Sequence, residues 1–225
     1  MLEAIFNPRT AISPEIHRID LGHFGLLSEK MIRRSLRDSH GRERGRSILL
    51  NKKGKLVTSQ FDTIGSFTDD GRPFIRTSLR LDTKSDYLSK KTSRRTNLLI
   101  GFIHTHGHYD LPASPLDFYT LFGHIDTTRI ALMEMVVTPE RKLLYFRGLE
   151  TPQWQNPDLS DQIIYWDNWL NHKINEVINN QMRKEEQVGQ VALLNYSFIK
   201  ELRNNFDIRC FSCPLDRNIA IEDTA

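Results

Sequence analysis

Residues 101–118, GFIHTHGHYDLPASPLDF, gather several metal-binding side chains into one short stretch. His104 and His106 are one residue apart and follow the apolar run from Leu98 to Ile103. Neutral imidazoles at the end of a buried strand that stops and turns can reach one ion together, and nitrogen ligands suit zinc. Asp117, on the helix expected next, can complete the protein set. Three protein ligands leave a fourth position open to water, the mark of a catalytic rather than a structural site. A metal there brings the pKa of water towards neutrality and can polarise a carbonyl. Amide hydrolysis also needs a carboxylate to take the water's proton and supply the leaving amine. It needs an oxyanion donor beyond the metal as well, which Ser114 is placed to offer.

The elements that must position these groups follow from periodicity. Leu27, Met31, Ile32 and Leu36 recur at helical spacing, with Ser28 as a candidate N-cap and an end near Ser39–Gly41. Residues 47–50, SILL, read as the start of a strand, and 55–61 as the next one after a turn at 51–54. A turn at 69–73 precedes an alternating strand over 74–81, and 82–97 is polar enough for a loop. Residues 98–103 form a buried strand that delivers the chain into His104. Ser114 to Phe122 reads as a helix with Ser114 as its cap and Pro115 at the first position. Strands over 129–137 and 142–147 are joined through Thr-Pro-Glu-Arg. A Pro-containing linker from 151 leads to an amphipathic helix over 161–184, with Ile163, Trp166, Leu170, Ile174, Val177 and Met182 on one stripe. The last 30 residues read as irregular apart from a helix at Tyr196–Arg203. The chain therefore divides into an N-terminal arm (1–25), a main domain (26–150) and a C-terminal helical extension (151–225).

The spacing His104-x-His106, seven residues, Ser114, two residues, Asp117 resembles the JAMM signature of the JAB/MPN zinc metalloproteases, without gap or substitution. Thr105 stands where that family has Ser or Thr, and the Gly-Phe-Ile lead-in is similar too. The resemblance runs from Glu43 to Arg147. It implies an α/β, cytidine-deaminase-like MPN fold, a mixed curved sheet with flanking helices, continued here by the helical extension. It implies one Zn2+ on His104, His106 and Asp117, with Ser114 stabilising the oxyanion. The family's remaining member is a glutamate between the first helix and the next strand, acting as general acid/base. Glu43 fits that place, and Glu29, inside the helix, is the fallback. The implied activity is hydrolysis of a peptide or isopeptide bond, the family's usual substrates being ubiquitin and ubiquitin-like proteins joined through their C-terminal tails. Some MPN domains are non-catalytic scaffolds and RadC-like relatives are associated with DNA, so a scaffold or a DNA-associated protein is the alternative.

At 225 residues, 26% charged and 39% hydrophobic, the chain suits one large globular domain, or one domain with an appendage, rather than a disordered chain. No run approaches the length of a bilayer span, and the N-terminus lacks a basic segment followed by an apolar one. A cytoplasmic protein without a membrane partner is expected. Cys210 and Cys213 form a single CxxC with no second pair, which reads as two ordinary thiols. The net charge is only +3. Arg33, Arg34, Arg37, Arg42, Arg44 and Arg46 nevertheless crowd one stretch, and Lys90, Lys91, Arg94 and Arg95 another. Such clusters can attract an acidic protein face or a phosphate backbone. No aromatic residues interleave with the arginine cluster as a stacking platform, which disfavours nucleic acid as the main substrate. His108 and His124 read as a loop residue and a helix end. Trp154, Trp166 and Trp169 read as packing anchors.

Overall fold

A computed structural model describes residues 6–7, 11–38, 42–50, 56–59, 63–67, 73–74, 98–106, 115–118, 121, 132–151, 157–180 and 183–223. Two short antiparallel ribbons pair β1 (Phe6–Asn7) with β2 (Ala11–Ile12) and β7 (Ser66–Phe67) with β8 (Pro73–Phe74). The other nine strands form one mixed, curled sheet. They are β3 (Arg18–Asp20), β4 (Arg44–Leu50), β5 (Leu56–Thr58), β6 (Thr63–Ile64), β9 (Leu98–Thr105), β10 (Met133–Val137), β11 (Arg141–Arg147), β12 (Ile208–Pro214) and β13 (Ile219–Glu222). Their order is β3-β13-β12-β11-β10-β9-β4-β5, with β6 also pairing β4. Among the described pairs only β9 and β10 run parallel.

Among the described residues three α-helices cover the sheet: α1 (His23–Leu36), α2 (Pro157–Asn179) and α3 (Lys184–Phe206). Phe24, Met31 and Ile32 of α1 bury themselves against Ile48, Ile100, Met133, Met135, Leu144 and Phe146 on one face. On the other face Leu159 and Ile163 of α2 and Phe198, Ile199 and Phe206 of α3 pack with Phe102, Val136, Leu143 and Tyr145. The result is a three-layer α/β arrangement, each helix turning its apolar stripe to the sheet.

Several boundaries differ from the sequence reading. Helix α1 begins before the expected cap. Asp20 Oδ1 accepts a hydrogen bond from Gly22 N at 2.9 Å, Gly22 takes φ +48°, and the helix runs from there. Ser28 is buried inside the helix and its hydroxyl donates to Gly25 O. The expected strand over 74–81 is described only at Phe74, the loop over 82–97 lies outside the described residues, and so does Met182. The expected irregular tail gives way to a longer helix, α3, and to β12 and β13, which carry the sheet on beyond β11. Strand β3, from the expected arm, closes the far edge by pairing with β13. Among the described residues no helix is long and apolar enough to cross a membrane.

One irregularity sets up the site. Ile48 pairs with Gly101 but Leu49 pairs with Leu99, so Ile100 is an extra residue, a β-bulge in β9. A bulge shifts which side chains face which layer. Beyond it Ile103 joins the α1 layer while Phe102 joins the α2/α3 layer, and by the two-residue period His104 follows Phe102. Gly101 is required there, because a Cβ would come within 2.0 Å of Met133 O.

Candidate metal centre

The end of β9 is fixed on both sides. On one side His106 N donates to Val137 O at 2.9 Å, extending the parallel pairing with β10. On the other, Arg44 N donates to the Thr105 hydroxyl at 3.0 Å. Strands β4 and β9 are antiparallel with Gly45 opposite His104. The two-residue period then puts Glu43, just before β4, opposite His106 and on the same face. Gly65 N donates to Glu43 O at 2.8 Å and holds that backbone in place.

Asp117 lies in a 3-10 helix, Pro115–Phe118, inside the span expected to be helical and starting at the expected Pro115. Its neighbour Phe118 is fully buried and meets Tyr145 edge-on, with ring centroids 4.9 Å apart. That ring anchors the segment over the sheet. Its loss would cost roughly 3–5 kcal/mol, the usual range for a buried Phe→Ala change, and would free Asp117 to move.

The three side chains converge. His104 Nε2 lies 3.2 Å from His106 Nε2 and 3.5 Å from Asp117 Oδ1. His106 Nε2 lies 3.6 Å from Asp117 Oδ2. One atom from each of the three residues fits within 4.8 Å of the others, so the group could hold a metal ion. Glu43 Oε1 stands 3.9 Å from His106 Nε2, at the border of the group. Behind it, the ring of His104 turns its other nitrogen, Nδ1, to Glu134 Oε1 at 2.8 Å.

No protein-family model matches the chain, and no curated protein does. The chemistry of the site therefore rests on its own residues.

Charge and burial work against each other throughout the cluster. Burial disfavours the charged form of His104, yet Asp117 and then Glu134 outweigh it and hold the ring's pKa well above its ordinary value. Burial likewise opposes the charge on His106, but the Asp117 hydrogen bond and the nearby Glu43 raise its pKa. Asp117 is pushed up by burial and pulled well below the usual carboxylate range by His104 and His106, which win. Burial pushes the Glu43 carboxyl up, with His106 and His104 opposing in part. Two imidazole nitrogens 3.2 Å apart repel when both present lone pairs, and a ring N–H donated from one to the other, or a cation held by both, removes that repulsion. A metal ion at this place takes the position of the ring proton.

The remaining expected residues fall as follows. Ser114 lies outside the described residues, immediately before Pro115, and so do His108, His124, Trp154 and the 90–95 basic cluster. Glu29 is away from the centre, 3.6 Å from Lys142 Nζ and 3.7 Å from Arg33 Nη2. Arg34, Arg37, Arg42 and Arg44 line an open depression with Asp38, whose two carboxylate oxygens accept from the Arg42 guanidinium. Trp166 packs into the α2/α3 layer, edge-on to Trp169 at 5.4 Å. Cys210 belongs to the α2/α3 layer and Cys213 to the α1 layer, since an odd spacing along β12 sends them to opposite faces. They cannot close on one another or on one ion, and burial pushes the Cys210 thiol up to about 12.

Glu134 is the group that sequence reasoning passed over. It stands in Met133-Glu-Met-Val-Val137, where every residue is buried. A lone acid inside so apolar a strand was the available signal.

Proposed function

We propose that this chain is a zinc-dependent hydrolase of the JAB/MPN/JAMM type, built on an MPN-like fold, that cleaves a peptide or isopeptide bond. The observation that carries the reading is the convergence of one atom each from His104, His106 and Asp117 within 4.8 Å, with the two Nε2 atoms 3.2 Å apart and each ring 3.5 or 3.6 Å from one Asp117 oxygen. Zinc bonds of about 2.0–2.1 Å to nitrogen or oxygen in a tetrahedron imply edges of about 3.3 Å. Two imidazole nitrogens and one carboxylate are also a donor set that zinc takes with one position to spare.

When bound, the zinc would activate a water molecule and polarise the scissile carbonyl. His104 and His106 hold their place through the β9 register, and Asp117 through the Phe118 anchor. Glu43 lies beside the three ligands without being one of them. Its carboxylate takes the proton of the attacking water and returns it to the departing amine. Burial raises its pKa, which brings it closer to the pH at which it can both accept and release that proton. Ser114, by the family pattern, donates to the oxyanion. The substrate class is a protein or peptide, with ubiquitin-like tails drawn from the resemblance alone.

One observation favours the alternative, a RadC-like DNA-associated protein: the depression lined by Arg34, Arg37, Arg42 and Arg44. Asp38 already engages Arg42 and lies 3.7 Å from Arg44, which reduces its pull on a phosphate backbone. Tight DNA binding that survives physiological salt would move that alternative to first place.

The test of the main reading is metal analysis of the purified chain. Wild type should carry about one zinc per chain through its three ligands, and His106→Ala should lose it. Equal zinc in both proteins would sink the assignment.

A further inference from the structure

The carboxylate of Glu134 is where no exposed-surface role can explain it. The residue is 3% exposed. Along the parallel pair, Glu134 stands beside Phe102 and Val136 beside His104. Across the antiparallel pair it faces Tyr145, itself fully buried. Phe102, Val136 and Tyr145 all belong to the apolar layer beneath α2 and α3. A carboxylate in such a layer is costly unless a strong donor meets it. His104 Nδ1 does so at 2.8 Å, a length typical of a charge-assisted bond.

The chemistry of that bond has a direction. An ionised carboxylate only accepts hydrogen bonds, so the proton of the ring stays on Nδ1. A neutral His104 then has its lone pair on Nε2, the nitrogen that faces His106 and Asp117. The hydrogen bond also fixes the plane of the ring, and its negative charge makes Nε2 a better base. His104 would otherwise divide its neutral form between two tautomers, one of which turns an N–H at the ion.

We propose that Glu134 is a positioning residue of the metal centre, holding His104 in the tautomer and orientation that bind the ion through Nε2. The inference rests on the metal reading above and concerns what sets the affinity of that site. Carboxylate, histidine and metal in line form a relay whose outer member typically changes metal affinity by about tenfold to a hundredfold.

Two variants of the full chain separate this role from a merely structural one. Glu134→Gln keeps an acceptor for Nδ1–H but removes the charge, and Glu134→Leu removes both while filling the space. Zinc affinity is read by competition with a chromophoric chelator, ligand geometry by the visible absorption of the cobalt(II)-loaded protein, and fold by the melting temperature after chelation. Glu134→Gln should bind zinc about tenfold more weakly, and Glu134→Leu up to about a hundredfold more weakly. The cobalt spectrum of Glu134→Leu should change. The chelated Glu134→Leu protein should melt lower than wild type, because buried His104 loses its partner, so zinc affinity and the cobalt spectrum are the readouts that decide. A merely structural role predicts melting lowered with zinc affinity and spectrum unchanged, and that result overturns the proposal. Wild type and both variants binding zinc equally would overturn it while leaving the metal centre intact. Wild type without zinc would remove the metal centre itself, and this inference with it.

Discussion

At the far edge of the sheet Arg209 meets Glu222 and His17, and this cluster invites comparison with the one at the end of β9. Arg209 Nε and Nη2 each donate to a Glu222 carboxylate oxygen at 2.7 Å. Its Nη1 and Nη2 also donate to Ser13 O and Ile16 O, and His17 Nδ1 adds a contact to Glu222 at 2.6 Å. Donors meet acceptors in each of these contacts, and the product is a clasp between the N-terminal segment, β12 and β13. At the end of β9 the logic is inverted. Two imidazole nitrogens and the two oxygens of one carboxylate, all able to present lone pairs, converge. The first cluster is complete as a set of side chains. The second is a set of atoms that one metal ion could gather. Buried charge alone does not separate structure from chemistry, but the direction of the lone pairs does.

The largest effect that can sharpen this contrast is on turnover. Glu43→Gln removes a carboxylate that borders the ligand set without belonging to it. It should keep zinc and fold while lowering kcat by roughly a hundredfold to ten-thousandfold, the range for a lost general acid/base. Hydrolysis of a fluorogenic amide at the C-terminus of a ubiquitin-like protein measures it. Glu29→Gln is the control, because Glu29 serves Lys142 and Arg33 on the α1 side. Its turnover per folded molecule should match wild type. Full activity in Glu43→Gln would return the site to the same class as the clasp.

What could be read beforehand divides along the same line. His104, His106 and Asp117 were legible because their spacing is local and the apolar run before them marks a buried strand. Glu43 was reached through resemblance, since its place depends on the β4–β9 pairing and no periodicity encodes that. Glu134 was missed because one acid in a strand suggests an exposed face, whereas β10 is covered on both sides. Strand β12, IRCFSCP, was missed for a related reason. Its buried residues face both layers, so the alternation that announces a half-buried strand is absent. The start of α1 is set by the Asp20 side chain and a left-handed Gly22, features that a search for a Ser cap overlooks. The layered α/β class survived these misses, because the helical stripes and the longer strands carried it.

A smaller effect tests whether the β9 cluster does hold a cation. Zinc at a hundred times its dissociation constant should stabilise the fold by about 2.7 kcal/mol, and the shift should depend on pH. The folded pKa of His104 lies above its ordinary 6.5. In the chelated protein its pairing with Asp117 and Glu134 is therefore fully present below about 6.5 and is lost as pH rises through the raised value. Zinc must displace those protons, so its stabilisation should grow over that interval and fade below it. Melting curves with zinc and with chelator, taken from pH 5 to 9, give the comparison. A zinc shift that is the same at both ends would mean that the ion binds somewhere other than the histidines.

The clasp should respond in the opposite way and by less. Glu222→Gln leaves Arg209 with its two carbonyl acceptors and should cost roughly 1.5 kcal/mol, the low end for losing a charge-assisted bond. Zinc content and turnover should stay as in wild type. Burial pushes the Glu222 carboxyl up, but Arg209 and His17 outweigh it and lower its pKa from the ordinary 4.5. The stability it contributes is then present above about 4.5 and is lost only as pH falls through the lower folded value. Near pH 5 to 6 the two clusters should come apart. There protons have displaced zinc from the histidines, whereas the gap in melting temperature between wild type and Glu222→Gln persists. If that gap vanished together with the zinc shift, the two clusters would be coupled through the sheet, and the division between a finished structural clasp and a cation-binding centre would fail.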